Sequence, residues 1–226
     1  MQEKFVVAID GPAGAGKSTV AKILAKKLAY IYIDTGAMYR AITWKCLQFG
    51  GKLTKDKVEE IARSTKVSFV VTDKGVNSVW ADDIDVTEAI RTPEVTARVS
   101  EISSNAVVRC VLSKQQQEMG DQGGVVMDGR DIGTCIFPNA RYKIFLTASV
   151  EERARRRCKE LEEKGYICDI KKLEAEIAAR DYADSHREIA PLTQAVDAVL
   201  VDSSALNIEQ TVELLYTICR GDENAV

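Results

Sequence analysis

The stretch Gly11-Pro12-Ala13-Gly14-Ala15-Gly16-Lys17-Ser18-Thr19 constrains this chain more than any other part of it. It matches G-x-x-x-x-G-K-[ST], in which backbone N–H groups wrap the phosphates of a nucleoside triphosphate while the lysine reaches the outer ones. That meaning requires a strand before the pattern and a helix after it. Phe5-Val6-Val7-Ala8-Ile9 is β-prone and too short for a helix, whereas Val20, Ala21, Ile23, Leu24 and Leu28 keep helical spacing. A phosphate placed there also gains from the unpaired N–H groups and dipole of the helix N-terminus.

Strand and helix alternate through the rest of the chain. Tyr30-Ile31-Tyr32-Ile33 reads as a second β run ending in Asp34-Thr35-Gly36, after which Ala37, Met38, Ala41, Ile42 and Trp44 resume helical spacing. Residues 50–66 are polar and helical in character. Val67–Val71 and Val76–Val86 are β-prone around the turn signal Asp73-Lys74-Gly75, which suggests a small antiparallel piece. Arg91 to Glu118 reads as helical, with Pro93 suited to a first turn. Val125-Val126-Met127-Asp128 is a short buried strand. Tyr142–Leu146 is another, followed by Ser149-Val150-Glu151-Glu152 as a capping box for a charged helix that Gly165 ends. A helix over about 169–184, a strand at Ala198–Asp202, and a final helix capped by Asn207 and Gln210 complete the pattern. Ile208, Val212, Leu215 and Ile218 share one side of that last helix, and the residues beyond Arg220 read as a frayed tail. The alternation implies one α/β core with a parallel sheet, ligands at the carboxyl ends of its strands, and an insert at about 60–100.

Composition narrows the function classes. The 226 residues are 46% hydrophobic, enough for a real core, and a net charge of -3 gives no reason to expect a long polyanion such as nucleic acid. The Met-Gln-Glu-Lys start has no apolar signal core, and no run approaches the roughly 18 apolar residues of a membrane span. A cytoplasmic protein with no membrane or nucleic-acid partner is expected. The six cysteines form no C-x-x-C pair and His186 is the only histidine. They are expected to be reduced, mostly buried thiols rather than zinc ligands.

What a phosphate loop does depends on what lies opposite it. The [NT]-K-x-D element of a GTPase is absent. Scattered arginines, Arg40, Arg109, Arg130, Arg180 and Arg187, instead suit a second phosphorylated molecule, because guanidinium grips phosphate bidentately. Asp128-Gly129-Arg130-Asp131 ends a strand of Walker-B form whose carboxylate can hold Mg2+, and Gly129 is expected to turn the chain tightly there. Glu151–Arg155 and Glu152–Arg156 are i,i+4 pairs on an exposed helix, one or two of whose arginines could close on a transferring phosphoryl group. Arg180, Asp184 and Arg187 fall on one helix face at i, i+4 and i+7. His186 needs no catalytic role, since a phosphate nucleophile needs no base.

Together, the glycine loop, Asp34-Thr35-Gly36-Ala37-Met38-Tyr39-Arg40, Asp128-Gly129-Arg130-Asp131-Ile132-Gly133-Thr134, Phe137-Pro138, Lys143–Leu146 and Arg180-Asp181 through Ala190-Pro191-Leu192 resemble bacterial-type cytidylate kinases from about residue 5 to 215. The resemblance implies an α/β fold: a P-loop three-layer sandwich with a parallel central sheet, a helical lid and a mixed α/β NMP-binding insert. It implies a core at 1–61 and 103–220 including a lid at about 151–168, an insert at 62–102 and a tail at 221–226. It further implies a monomer that transfers phosphate from ATP to CMP and dCMP with Mg2+. Residues 11–19 would hold ATP, Ser18 and Asp128 the metal. Lys17, Arg40 and Arg130 would be catalytic, the two arginines gripping the acceptor phosphate. Thr35, Tyr39, Ser100, Arg109, Asp128, Asp131 and Arg187 would surround the acceptor, with Arg180 and Asp184 near its ribose. Two alternatives stay open on the residues themselves: a kinase for UMP or another small acceptor, and a nucleotide-gated regulatory module.

Overall fold

A computed structural model describes residues 4–71, 77–163 and 165–221. In chain order its elements are β1 (Val6–Asp10), α1 (Lys17–Leu28), β2 (Ile31–Asp34), α2 (Thr35–Leu47), α3 (Lys55–Ser64), β3 (Val67–Val71), β4 (Asn77–Ala81) and β5 (Ile84–Asp85). There follow α4 (Pro93–Ser104), α5 (Ala106–Gly120), β6 (Val125–Gly129), β7 (Tyr142–Thr147), α6 (Val150–Glu163), α7 (Ile170–His186), β8 (Val199–Asp202) and α8 (Ile208–Cys219). A 3-10 turn lies at Ala89–Arg91 and a single π turn at Ile132–Ile136. Contacts divide the chain into two compact units, Met1–Tyr32 with Gln122–Val226, and Ile33–Asp121.

The first unit is built on a parallel sheet in the order β2-β6-β1-β7-β8. The expected α/β class with a parallel central sheet is therefore what the chain adopts. β1 sits at its centre, paired in parallel with β6 (Val6 opposite Val125) and with β7 (Val7 opposite Tyr142). A strand covered on both faces needs apolar residues at every position, which is why Val-Val-Ala-Ile runs without alternation. One face is covered by α1 and α8: Val20, Ala21 and Leu24 meet Val212, Leu215 and Ile218 over Val7, Ile9, Val126 and Ile144. Each large side chain buried here contributes about 2 kcal/mol by removal from water. Ile208 is not part of that face and is exposed, because the capping box between Asn207 and Gln210 leaves it in the first, outward turn.

The second unit has its own antiparallel sheet, β3-β4-β5, with Val67 opposite Ala81 and Trp80 opposite Asp85. The antiparallel piece is thus present, and the Asp73-Lys74-Gly75 turn lies outside the described residues. So do residues 222–226 of the expected tail. Helix α2 begins at Thr35, earlier than its apolar spacing suggests, because the Asp34 carboxylate accepts from Ala37 N–H at 2.9 Å and caps it. The single helix expected over 91–118 is two helices. Asn105 takes an extended backbone (φ -69, ψ 125) and its side chain accepts from Val107 N–H and Val108 N–H, starting α5 afresh.

Two further expectations change. The capping box at Ser149 is only half made: Ser149 accepts from Glu152 N–H at 3.1 Å, but Ser149 N–H is taken by Ser204. Glu152 turns instead to Arg156 at i,i+4 and to Arg155 at i,i+3, so Arg155 does not form the expected pair with Glu151. The cysteines are not six buried thiols. Cys158 of α6 and Cys168, just before α7, form a disulfide across the turn between two packed helices, with Cα atoms 5.5 Å apart. Cys46 and Cys219 are buried thiols, whereas Cys110 and Cys135 are exposed. Spacing alone does not show that α6 and α7 fold back on each other and bring two cysteines together.

Candidate active site

Three glycines shape the loop after β1, and two of them decide it. Gly11 has φ +147, and a Cβ there would stand 2.0 Å from the Leu146 carbonyl oxygen, so the loop can cross β7 only as glycine. Gly16 caps α1 in a left-handed backbone with φ +87. Lys17 is the first residue of that helix; it is 5% exposed and its Nζ donates to the Pro12 carbonyl at 2.7 Å, arching back over the loop. The loop is braced from α6. Arg153, 3% exposed, donates to the carbonyls of Ala13 (3.0 Å) and Ala148 (2.9 Å) and to Asp181 Oδ2 (2.6 Å). Arg156 donates to Ser203, whose hydroxyl sits 3.4 Å from the Ala15 carbonyl. In this structure Arg153 is a brace on the loop rather than a free arm.

Behind the loop lies an acidic floor. Ser18 Oγ donates to Asp128 Oδ2 at 2.9 Å, joining α1 to the end of β6. Tyr32 donates its hydroxyl to the other oxygen, Oδ1, at 2.8 Å. Asp10 accepts from Ile132 N–H and Gly133 N–H at 2.8 and 2.7 Å. Burial pushes the Asp10 carboxyl up to about 6 against those two bonds, with Asp131 adding to the rise and Lys17 opposing it. Burial likewise pushes Lys17 down to about 7, aided by Arg130 and opposed by Asp128, Asp10 and Asp184.

Gly129 does not make the expected tight turn; the chain bends at Arg130 and Asp131. Gly129 ends β6 in register with Asp10 and has no left-handed backbone, and the bend that follows it leads into the π turn. Arg130 donates to Asp184 Oδ2 at 2.9 Å and to the Gly129 carbonyl. Asp131 is 6% exposed, and Arg187 Nη2 lies 3.5 Å from its Oδ1. Arg187 does not extend the helical face of Arg180 and Asp184. Helix α7 ends at His186, and Arg187 follows in extended backbone (φ -64, ψ 144), which points its Nε to the Ala190 carbonyl at 2.6 Å. Burial and the nearby Arg130 lower the pKa of Arg180, whose Nε is buried without a hydrogen-bond partner. Cations crowded this way repel each other, and an anion relieves that repulsion. His186 is exposed and stacks on Tyr182, with centroids 3.9 Å apart.

The remaining expected residues belong to the second unit. Thr35 is buried in the first turn of α2. Arg40, one turn further, donates to Thr96 Oγ1 at 2.9 Å and to the Ile90 carbonyl at 3.3 Å. The Arg109 guanidinium, 3% exposed, lies over the Tyr39 ring 5.4 Å from its centroid and donates to the Ser103 carbonyl. Ser100 is an exposed residue of α4.

Residues 7–220 match the sequence model of the cytidylate kinase family. A cytidylate kinase of Bacillus subtilis (strain 168) is 51% identical over 214 residues, covering 94% of this chain and 95% of that one. One from Desulforamulus reducens is 52% identical over 218 residues, covering 96% and 97%. This chain belongs to the cytidylate kinase family. It is a kinase, with the nucleotide-binding loop that such an enzyme needs. Against that background, three residues of the site go beyond what the sequence pattern names: Asp10, Tyr32 and Arg153. Each looks ordinary in sequence, and each acquires its role from a partner 28 to 140 positions away.

Proposed function

We propose that this cytidylate kinase family member transfers the γ-phosphoryl group of ATP to CMP and dCMP in line, in the cytoplasm and as a monomer. The observation that carries the reading is the set of buried and half-buried cations that follows the phosphate loop and β6: Lys17 arched back to the Pro12 carbonyl at 2.7 Å, Arg130 on Asp184 at 2.9 Å and Arg187 3.5 Å from Asp131. Residues 11–19 take ATP. Asp128, Arg130, Asp131, Arg180, Asp184 and Arg187 of the first unit, with Thr35, Tyr39, Arg40, Ser100 and Arg109 of the second, take the acceptor. Residues 151–168 serve as the lid and 62–102 as the NMP-binding insert. No helix among the described residues is long and apolar enough to cross a membrane.

A phosphate monoester with a second pKa near ~6 is largely dianionic at neutral pH, so its oxygen attacks without a general base. What the protein supplies is position and positive charge. Lys17 turns from Pro12 to the triphosphate, and the incoming anion favours its protonated form. Arg40 turns from Thr96 and Ile90, and Arg130 from Asp184, to phosphate oxygens. Ser18 and Asp128 present hydroxyl and carboxylate oxygens 2.9 Å apart, a hard donor set that suits Mg2+. Bound there, the ion would neutralise charge on the phosphates. Asp131 accepts from the exocyclic amine of cytosine, which uracil replaces by a carbonyl.

ADP formation from Mg-ATP with CMP, dCMP, UMP, AMP, GMP and dTMP offered separately tests the reading. Fast turnover is expected with CMP and dCMP; turnover led by another acceptor overturns the base assignment, and hydrolysis indifferent to any acceptor overturns the kinase. Asp131→Asn is expected to shrink the CMP/UMP ratio of kcat/KM by about 10- to 100-fold, the cost of one mismatched buried hydrogen bond. An unchanged ratio removes Asp131 from base recognition.

A further inference from the structure

Asp10 closes β1 one residue before the phosphate loop, is 5% exposed, and belongs to none of the groups assigned above to a nucleotide. Its oxygens are divided between consecutive amides: Oδ1 accepts from Ile132 N–H at 2.8 Å and Oδ2 from Gly133 N–H at 2.7 Å. Those amides open the π turn Ile132–Ile136. The first N–H groups of such a turn have no partner within it, and the preceding Asp131 provides no side-chain cap. A residue 122 positions away therefore caps it. Gly133 is part of the fit, because a Cβ there would lie 3.2 Å from Lys143 Cδ and 3.4 Å from Asp10 Oδ2. Burial raises the Asp10 carboxyl to about 6 against these two bonds, with Asp131 adding to the rise and Lys17 opposing it.

We propose that Asp10 is a positioning residue for the acceptor nucleotide: by clamping the two amides that follow Asp131, it fixes Arg130 and Asp131 relative to the phosphate loop. The inference rests on the reading of Arg130 and Asp131 as acceptor-side residues. Asp10 leads directly into Gly11, and its strand partner in β6 is Gly129, the residue before Arg130. The clamp therefore ties the start of the donor loop to the acceptor-reading segment through one side chain. A cap that served stability alone would affect both substrates and the melting temperature together. A clamp on 130–131 affects the acceptor.

Asp10→Asn keeps the shape of the side chain but can accept only one of the two bonds and turns an N–H toward the other amide. Asp10→Ser accepts one bond without opposing the second, and it carries the test if the Asn variant does not fold. With ATP saturating and at temperatures below each variant's melting transition, KM for CMP is expected to rise about 10-fold in Asp10→Asn, the size of one lost buried hydrogen bond. A smaller rise is expected in Asp10→Ser, with KM for ATP little changed in both and any fall in kcat following the displacement of Arg130. Wild-type KM for CMP in the variants overturns the proposal, as does a parallel worsening of kcat and of KM for ATP. Asp131→Asn, assayed beside them, separates the two readings. An unchanged CMP/UMP ratio there with raised KM in the Asp10 variants removes base reading and leaves the clamp acting through Arg130. A changed ratio with wild-type KM in the Asp10 variants removes the clamp alone.

Discussion

Lys17→Met is expected to lower kcat for phosphoryl transfer by about 10³-fold while leaving the protein at least as stable as the wild type. The rate loss follows from removing a charge aimed at the transferring group in a site sheltered from water, where one such donor contributes on the order of 10² to 10³ and more for a full cation. The stability follows from burial. Lys17 is 5% exposed and pushed down to about 7, so the folded chain holds its ammonium at a cost, and a methionine of similar length fills the same space without it. The sign with pH is determinate. A lysine whose folded pKa lies below its unfolded one binds fewer protons when folded, so its penalty is complete below about pH 7 and relaxes as pH rises toward 10.5. Thermal melts of both proteins from pH 7 to 10 check this: the wild type should gain on the variant as pH rises. A variant that melts well below the wild type at pH 7 would show that Lys17 holds the fold together.

Gly11→Ala is expected to cost roughly 3 kcal/mol, from left-handed strain and forced contact together. In a domain of this size that lowers the melting temperature by about 10 °C. The added methyl would stand 2.0 Å from the Leu146 carbonyl oxygen and 3.0 Å from its carbon. That carbonyl belongs to β7, paired with β1 at the centre of the sheet, so it has nowhere to move. Gly16→Ala is the control. Its φ of +87 carries backbone strain too, but its nearest neighbour is the flexible end of Arg156 at 3.8 Å, so about 1 kcal/mol is expected. Equal losses in the two variants would mean that backbone strain alone, and not the crossing over Leu146, makes Gly11 necessary.

The phosphate loop and the family were legible because their signals are written in contiguous residues. The glycine loop needs a strand before it and a helix after it, and both are readable from local spacing. Asp128 was legible as the end of a buried strand for the same reason, since it closes an uninterrupted apolar run. Even the break at residue 105, which the reading of one helix over 91–118 omits, had a local signal, since Ser103-Ser104-Asn105 offers three side chains that compete for backbone hydrogen bonds.

Partners that meet across long stretches of chain are a different matter. Nothing near Asp10 announces Ile132 and Gly133, nothing near Tyr32 announces Asp128, and Arg153 reads like its neighbours Arg155, Arg156 and Arg157 on a charged helix. In place, Arg153 is 3% exposed and braces the loop, while Arg155 is exposed and pairs within its own helix. Cys158 and Cys168 likewise carry no pairing signal until α6 and α7 pack side by side. The residue types and their order along the chain were enough for the fold class, the phosphate loop and the family's chemistry, because backbone propensity and apolar period act over a few residues. Which charges are buried and which are braced was settled by packing, because desolvation and hydrogen-bond geometry depend on distances that no local pattern encodes.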